Sequence, residues 1–357
     1  MTLKTAKLAT LRSARELGLF SAVRQSRWRR RRLLILCYHG LSLEDEHVWN
    51  PVLYVEPATF RERMKTLRDS GYNVLPLGEG LRRLSEGTLP PRSVAITFDD
   101  GNYNFYALAW PILREFGFPA TVYLSTYYCR RQMPVFDVAI AYLTWKGRNR
   151  TLDTRGLLPR GGERRIGEDD SYVLFKALHQ SVSERGLPAA AKDELAADLA
   201  SRLGLKYEEL RDRRMFHLMT PVEVEEVARN QIAIELHTHR HRTPRDRILF
   251  LKEIEDNQRE IAAITGRQPS HFCYPRGDYI PEFFAWLREC RIRSATTCES
   301  GLASARDEWM RLPRLLDTNS LPAIEFEGWL TGFCAKLPRR KETNFEGNHR
   351  RHHMLAG

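Results

Sequence analysis

The chain has 357 residues, 42% of them hydrophobic and 28% charged, with no low-complexity tract; this is the composition of a folded globular protein and excludes a fibrous or intrinsically disordered one. Its net charge of +11 sits at the ends: residues 1–32 carry +9 and residues 338–357 carry +3, which leaves the body at −1. A near-neutral body excludes a nucleic-acid groove there, because phosphate recognition needs clustered Lys and Arg.

Residues 3–24 have helical spacing. Leu3, Leu8, Leu11, Leu17, Leu19, Phe20 and Val23 lie among Lys4, Lys7, Arg12, Arg15 and Arg24, and the run Arg27-Trp28-Arg29-Arg30-Arg31-Arg32 follows. A basic amphipathic segment over 1–32 can rest on an anionic membrane surface; the plainer alternative is that it packs on the body with its arginines solvated. No apolar run nears the roughly 20 residues of a membrane span, and the first 30 residues lack the apolar core and cleavage site of a secretory signal. The expectation is a cytoplasmic protein, peripheral to a membrane if the basic segment binds one. The six cysteines, Cys37, Cys129, Cys273, Cys290, Cys298 and Cys334, are scattered without a CxxC pair, which reads as reduced buried thiols.

Residues 33–38 read as a buried strand that ends in His39-Gly40. A helix over 58–70, a strand at 72–75 and a helix over 77–86 lead to Val94–Phe98, an apolar run that stops abruptly in Asp99-Asp100-Gly101. A helix over 104–116 and a strand at 120–124 continue the alternation, which predicts a parallel α/β sheet or barrel. The pattern breaks at 145–215, which is highly charged and helical without a clear strand. It is expected to be an insertion beside the active face, with too few strongly apolar residues for a core of its own. Alternation resumes at Thr220-Pro221, a good helix start, and gives strands at 232–236, 270–275 and 294–297 with helices over 246–264 and 281–291. Residues 311–315 are predicted to be extended, and the tail 338–357 to be disordered.

Functional residues of a parallel α/β fold gather beyond the carboxyl ends of the strands. Four predicted strands end there in reactive or glycine-bearing segments: His39-Gly40, Asp99-Asp100-Gly101, His237-Thr238-His239-Arg240-His241, and Pro275-Arg276-Gly277. Catalytic zinc commonly takes three protein ligands from His and Asp/Glu. One carboxylate and two histidines meet that count and leave the other carboxylate free to accept a proton from an activated water. Each piece has a blander reading: the acids as helix caps, the histidines as an exposed loop, His39 as a hydrogen-bonded core residue.

The motifs resemble those of the polysaccharide deacetylases of the NodB homology type (carbohydrate esterase family 4) over roughly residues 33–335. TFDDG is intact at Thr97–Gly101, HTxxH is met by His237–His241, and Tyr274-Pro275-Arg276-Gly277 is similar to the family's YPxG form. The resemblance implies an α/β fold, a distorted (β/α) barrel of about seven strands with the helical insertion, and a divalent metal, usually Zn2+. It makes Asp99 the catalytic base and Asp100, His237 and His241 the metal ligands, with His239 outside the set. Arg276 (through its backbone N–H) and Tyr274 are implied at the substrate and oxyanion position. The expected function is metal-dependent removal of N-acetyl groups from a glycan or lipid-linked glycoconjugate; the alternatives are a catalytically silent glycan-binding protein on the same fold, or a deacylase of O-acetyl esters or non-sugar amides.

Two departures stand out. Cys273 occupies the position near which the family's longer motif carries an arginine that orients the base, so that support must come from elsewhere, with Arg311 and Arg314 as the candidates. The C-terminal Leu-x-Leu-x-His strand that normally carries the general acid is missing, whereas Ile35-Leu36-Cys37-Tyr38-His39 has that look at the other end of the chain. This resembles the circularly permuted order of poly-N-acetylglucosamine deacetylases and makes His39 the candidate general acid.

Overall fold

In the computed structural model, which describes residues 3–168 and 170–337, the apolar runs become seven parallel strands: β1 (Leu34–Tyr38), β2 (Ser93–Phe98), β3 (Ala120–Leu124), β4 (Ile232–Leu236), β5 (His271–Cys273), β6 (Ser294–Ser300) and β7 (Leu312–Leu316). Each pairs with its neighbours in sequence, and β1 pairs with both β2 and β7, so the sheet closes into a barrel. The closing strand is the segment expected only to be extended; Leu36 sits opposite Leu315 and Cys37 opposite Leu316. The strand predicted at 72–75 is a two-residue piece, Asn73–Val74, that pairs with the start of β2 outside the ring.

Side chains alternate along each strand. Leu34, Leu36 and Tyr38 of β1 and Val94, Ile96 and Phe98 of β2 face outward into the main core under the helices. Leu33, Ile35, Ala95, Tyr123 and Leu312 form an inner cluster with Leu77, Leu81 and Leu84 of the helix Leu77–Glu86. That cluster plugs the amino-terminal end of the barrel. The same inward parity places Thr97, Asp99 and Arg314 nearer the carboxyl end, so the interior changes from apolar to ionic along its length.

The segment between β3 and β4 does have a core of its own. It contains a hairpin, Thr151–Asp153 with Glu163–Arg165, that the sequence reading missed, and the helices Asp170–Glu184, Ala189–Arg202 and Tyr207–Asp212. Ile140, Leu143, Leu152, Leu174, Leu178 and Leu199 are fully buried together, and Leu53 and Tyr54 from the connection between β1 and β2 complete the cluster. The expectation failed because the apolar residues are thinly spread at helical spacing (Leu174, Leu178, Val182) between charges, and because the preceding helix Phe136–Lys146 contributes much of the volume.

The helix Leu3–Glu16 packs on the helix Ala323–Thr331 and buries Leu11 and Ala14, with Phe20 following on the next short helix. Of the stripe, Leu11 and Phe20 are therefore covered by the protein itself, whereas Leu17 and Leu19 stay exposed at 77% and 44%. No helix among the described residues is long and apolar enough to cross a membrane. The tail 338–357 lies outside the described residues. Arg29 is fully buried, and its guanidinium donates to the carbonyls of Leu330, Arg32 and Ser93. Arg29→Ala should destabilise the fold by about 2–4 kcal/mol, since each buried carbonyl left without a donor costs about 1–3 kcal/mol; urea unfolding reads this, and an unchanged midpoint would contradict it.

Candidate active site

The carboxyl ends of β1, β2 and β4 deliver His39, Asp99-Asp100 and His237 to one mouth of the barrel. The turn after β2 is tight: Asp99 N–H donates to Tyr38 O at 2.8 Å and Ser125 N–H to Asp100 O at 3.1 Å. Gly101 has φ +85°, and a Cβ there would lie 2.2 Å from Leu124 Cδ1, so glycine is required on both conformational and steric grounds. Asp100 itself has φ +70°, and Thr238, His241 and Arg276 also occupy the left-handed region. Backbone strain of this kind persists where surrounding contacts impose it, and it gathers at functional sites.

Asp99 is 2% exposed and is held by Arg314 in a two-pronged ion pair: Nη1 to Oδ1 and Nη2 to Oδ2, both at 2.7 Å. Arg314 is further fixed by Nε donating to Thr297 O at 3.0 Å and Nη1 to Thr97 Oγ1 at 3.2 Å. Burial alone would raise the Asp99 pKa, but the Arg314 charge and its hydrogen bonds, with smaller help from His237 and His39, hold it well below the usual carboxylate range. Arg314 thus supplies, from β7, the support that Cys273 does not. Arg311 lies outside, exposed beside Tyr279 and Glu299, and its assignment as a support of Asp99 is corrected: it precedes the strand whose parity points Arg314 inward.

Asp100 Oδ1 lies 3.3 Å from His237 Nε2 and 3.2 Å from His241 Nε2. His237 Nδ1 is 2.9 Å from Cys273 O. A carbonyl only accepts, so Nδ1 carries a proton and Nε2, the nitrogen left to serve as a ligand through its lone pair, faces Asp100. Asp100 Oδ1 is buried without a hydrogen-bond partner. An anionic oxygen converging with a nitrogen lone pair is repulsive unless a cation sits among them, so these residues fit a divalent metal. The three donor atoms form a candidate metal site, open on one side, where the Asp100 side chain is 25% and His241 12% exposed.

Asp99, His237 and Cys273 form a second tight group, but it suits a cation poorly. Arg314 Nη2 stands 3.1 Å from Cys273 Sγ, and burial pushes the Cys273 thiol well up, against the pull of Arg314, which keeps it protonated.

His39 Nε2 is 3.9 Å from Asp99 Oδ2, and its buried Nδ1 has no hydrogen-bond partner. Burial lowers the His39 pKa while Asp99 and Asp100 pull the other way. His239 is turned from the cluster, with Nδ1 2.8 Å from Thr126 Oγ1. The Tyr274 side chain is also outside the mouth: it is buried among Phe272, Phe283 and Tyr279, and its hydroxyl donates to Met310 O at 3.0 Å. Its expected place at the substrate is corrected; the outward parity after β5 puts the ring under the helices. Arg276 sits in the turn Pro275–Gly277, near enough to His179 of the insertion for the two charges to interact.

Two supports were missed by sequence reading. Glu253, 1% exposed, accepts from Arg240 N–H and from the Arg240 and Arg242 guanidiniums, which pins the histidine loop. Asn257, one turn on, accepts from His237 N–H at 3.0 Å and donates to Leu124 O and Thr126 Oγ1. Their four-residue spacing on one face of the helix Arg247–Thr265 was the available signal, but the other charges of that helix hide it.

A closed seven-stranded barrel with an Asp-His-His cluster and a clamped second aspartate is the architecture of a deacetylase-type hydrolase. Residues 86–153 and 173–295, more than half of the chain, match the polysaccharide deacetylase profile, and the chain belongs to that family. It is 35% identical over 181 residues to YxkH of Bacillus subtilis, whose name classes it provisionally as a polysaccharide deacetylase, covering 48% of this chain and 62% of that one. It is 30% identical over 102 residues to the poly-beta-1,6-N-acetyl-D-glucosamine N-deacetylase of Escherichia coli K12, covering 28% and 15%. The chain therefore spans less than two thirds of either relative. Among solved structures, the Streptococcus pyogenes deacetylase PplD in complex with acetate superposes with a TM-score of 0.55 at 18% identity, covering 82% of this chain and 96% of that one. A de-N-acetylase from Aggregatibacter actinomycetemcomitans gives 0.53 at 14% identity, covering 84% and 99%. At these identities the likeness is one of fold.

The Asp99 pKa is depressed below its ordinary value of about 3.9, so the Asp99–Arg314 pair contributes fully above that pH and the contribution is lost as pH falls toward the folded pKa. Arg314→Met should cost about 3–5 kcal/mol at pH 7 by stranding a buried carboxylate, and the gap to wild type should narrow at pH 3. Urea unfolding at the two pH values checks this; an equal gap at both would contradict it.

Proposed function

We propose that this protein is a metal-dependent carbohydrate N-deacetylase that hydrolyses the N-acetyl amide of a glycan or glycoconjugate. One observation carries the reading: in a chain of this family, Asp100 Oδ1, His237 Nε2 and His241 Nε2 converge beside a carboxylate held ionised by Arg314. Asp100, His237 and His241 hold the divalent ion, with zinc favoured by the two imidazoles and one carboxylate. When bound, such an ion supplies Lewis acidity toward a carbonyl oxygen and lowers the pKa of a water.

The chain's own residues do the rest. Asp99 accepts a proton from the attacking water; its Oδ1 gives one lone pair to Arg314 and keeps another, whereas its Oδ2 also accepts from the Cys37 and Cys273 thiols at 3.6 and 3.5 Å. Its low basicity is tolerable only because the water it deprotonates has been made acidic. The family resemblance gives the backbone N–H of Arg276, a residue held in left-handed conformation, the role of donor to the developing oxyanion. His39 gives a proton to the departing amine, so that acetate and a free amino sugar result. With its general acid on the first strand, the chain has the permuted order.

Metal-loaded protein should release acetate from N-acetylated oligosaccharides. Asp99→Asn should keep the metal and lower kcat by about 10³, within the range for loss of a positioned base, whereas Asp100→Ala and His241→Ala should lose metal. Acetate assay together with metal analysis decides it. Activity that survives in Asp99→Asn, or metal lost equally from all three variants, would contradict these roles, and metal retained without any acetate release would favour a silent glycan-binding protein.

A further inference from the structure

The arginine run at 27–32 takes no part in the chemistry above. It lies at the amino-terminal end of the barrel, opposite the active site: Arg32 directly precedes Leu33, which bridges Ala303 at the foot of β1. Arg27, Arg30, Arg31, Arg32 and Arg306, with Trp28, line a groove of about 520 Å³ between the end of the helix Leu77–Glu86 and the segment 304–306. None of the five arginines has a carboxylate partner among the described residues. Asp307 bears electrostatically on Arg32 and also accepts from the Ser304 amide and hydroxyl, so it offsets at most one of the five positive charges.

A solvated charge run needs no scaffold, but this one has one. Ser26 Oγ caps the turn by accepting from Arg29 N–H at 3.2 Å. Arg29 plunges inward, and its three carbonyl bonds turn its neighbours out. Arg32 stacks on Trp28 at 4.3 Å from the ring centroid and donates to Trp28 O at 2.8 Å, while Lys336 covers the same ring at 4.5 Å. Five guanidiniums held around one concavity repel one another, and an anion among them relieves that repulsion. Guanidinium forks match the paired oxygens of phosphate and diphosphate.

We infer that this groove is a binding site for a phosphate- or diphosphate-bearing ligand, separate from the deacetylase centre. The shared chemistry has two sources, a phospholipid headgroup or a soluble diphosphate.

The test uses the full chain and the triple variant Arg27→Gln, Arg30→Gln, Arg31→Gln. All three side chains are exposed, so the unfolding midpoint should not move. Titration calorimetry with inorganic pyrophosphate is run against chloride at matched ionic strength, and co-sedimentation with phosphatidylglycerol vesicles is run against phosphatidylcholine vesicles. Wild type should bind pyrophosphate, phosphatidylglycerol vesicles or both, with affinity lowered at least tenfold in the triple variant and acetate release from soluble substrate unchanged. Binding to vesicles alone assigns the headgroup, and binding to both assigns the diphosphate chemistry generally. No binding to either probe, equal binding by the variant, or retention only on a DNA duplex would overturn the proposal.

Discussion

The ion pair between Asp99 and Arg314 is the constraint on which the rest of the site depends. A carboxylate buried to 2% would ordinarily take up a proton, and a protonated Asp99 could neither accept one in catalysis nor sit beside a second acid as an anion. Arg314 reverses that preference from inside the barrel, on the strand that closes it. Ring closure and the ionisation of Asp99 are therefore one structural event: the register that sets Leu36 against Leu315 also brings the guanidinium to the carboxylate.

Around this fixed point the ligand loops are held in conformations that isolated chains avoid. Asp100, Thr238 and His241 all have left-handed backbone, and each is tied down from behind. Gly101 lets the turn pass Leu124, and Ser125 donates to both the Asp100 and the His237 carbonyls. Glu253 and Asn257 brace the histidine loop from one helix. Such bracing keeps donor atoms convergent before anything binds, which lowers the reorganisation needed when charge develops.

Much of this was legible in the sequence, for physical reasons that also mark the limits. Short apolar runs ending in Asp99-Asp100 and His237 announce parallel strands and the face where chemistry gathers. The choice between Arg311 and Arg314 was not legible, because it turns on strand parity in a segment recognisable only as extended. Tyr274 was misplaced for the same reason, since one residue of phase sends a ring to the other face of the sheet. The core of the insertion was hidden by the charges between its leucines. The apolar stripe of the N-terminal helix was read correctly as a stripe, but a pattern does not say whether lipid or the helix Ala323–Thr331 covers it.

The central claim is that the cation belongs with Asp100, His237 and His241 and not with the neighbouring group of Asp99, His237 and Cys273. X-ray absorption at the zinc edge of the metal-loaded protein separates the two directly. The account predicts a shell of nitrogen and oxygen only, at about 2.0–2.2 Å. A sulfur contribution at about 2.3 Å would place the metal on Cys273, draw Asp99 out of its pair with Arg314, and contradict the division of labour between the two aspartates.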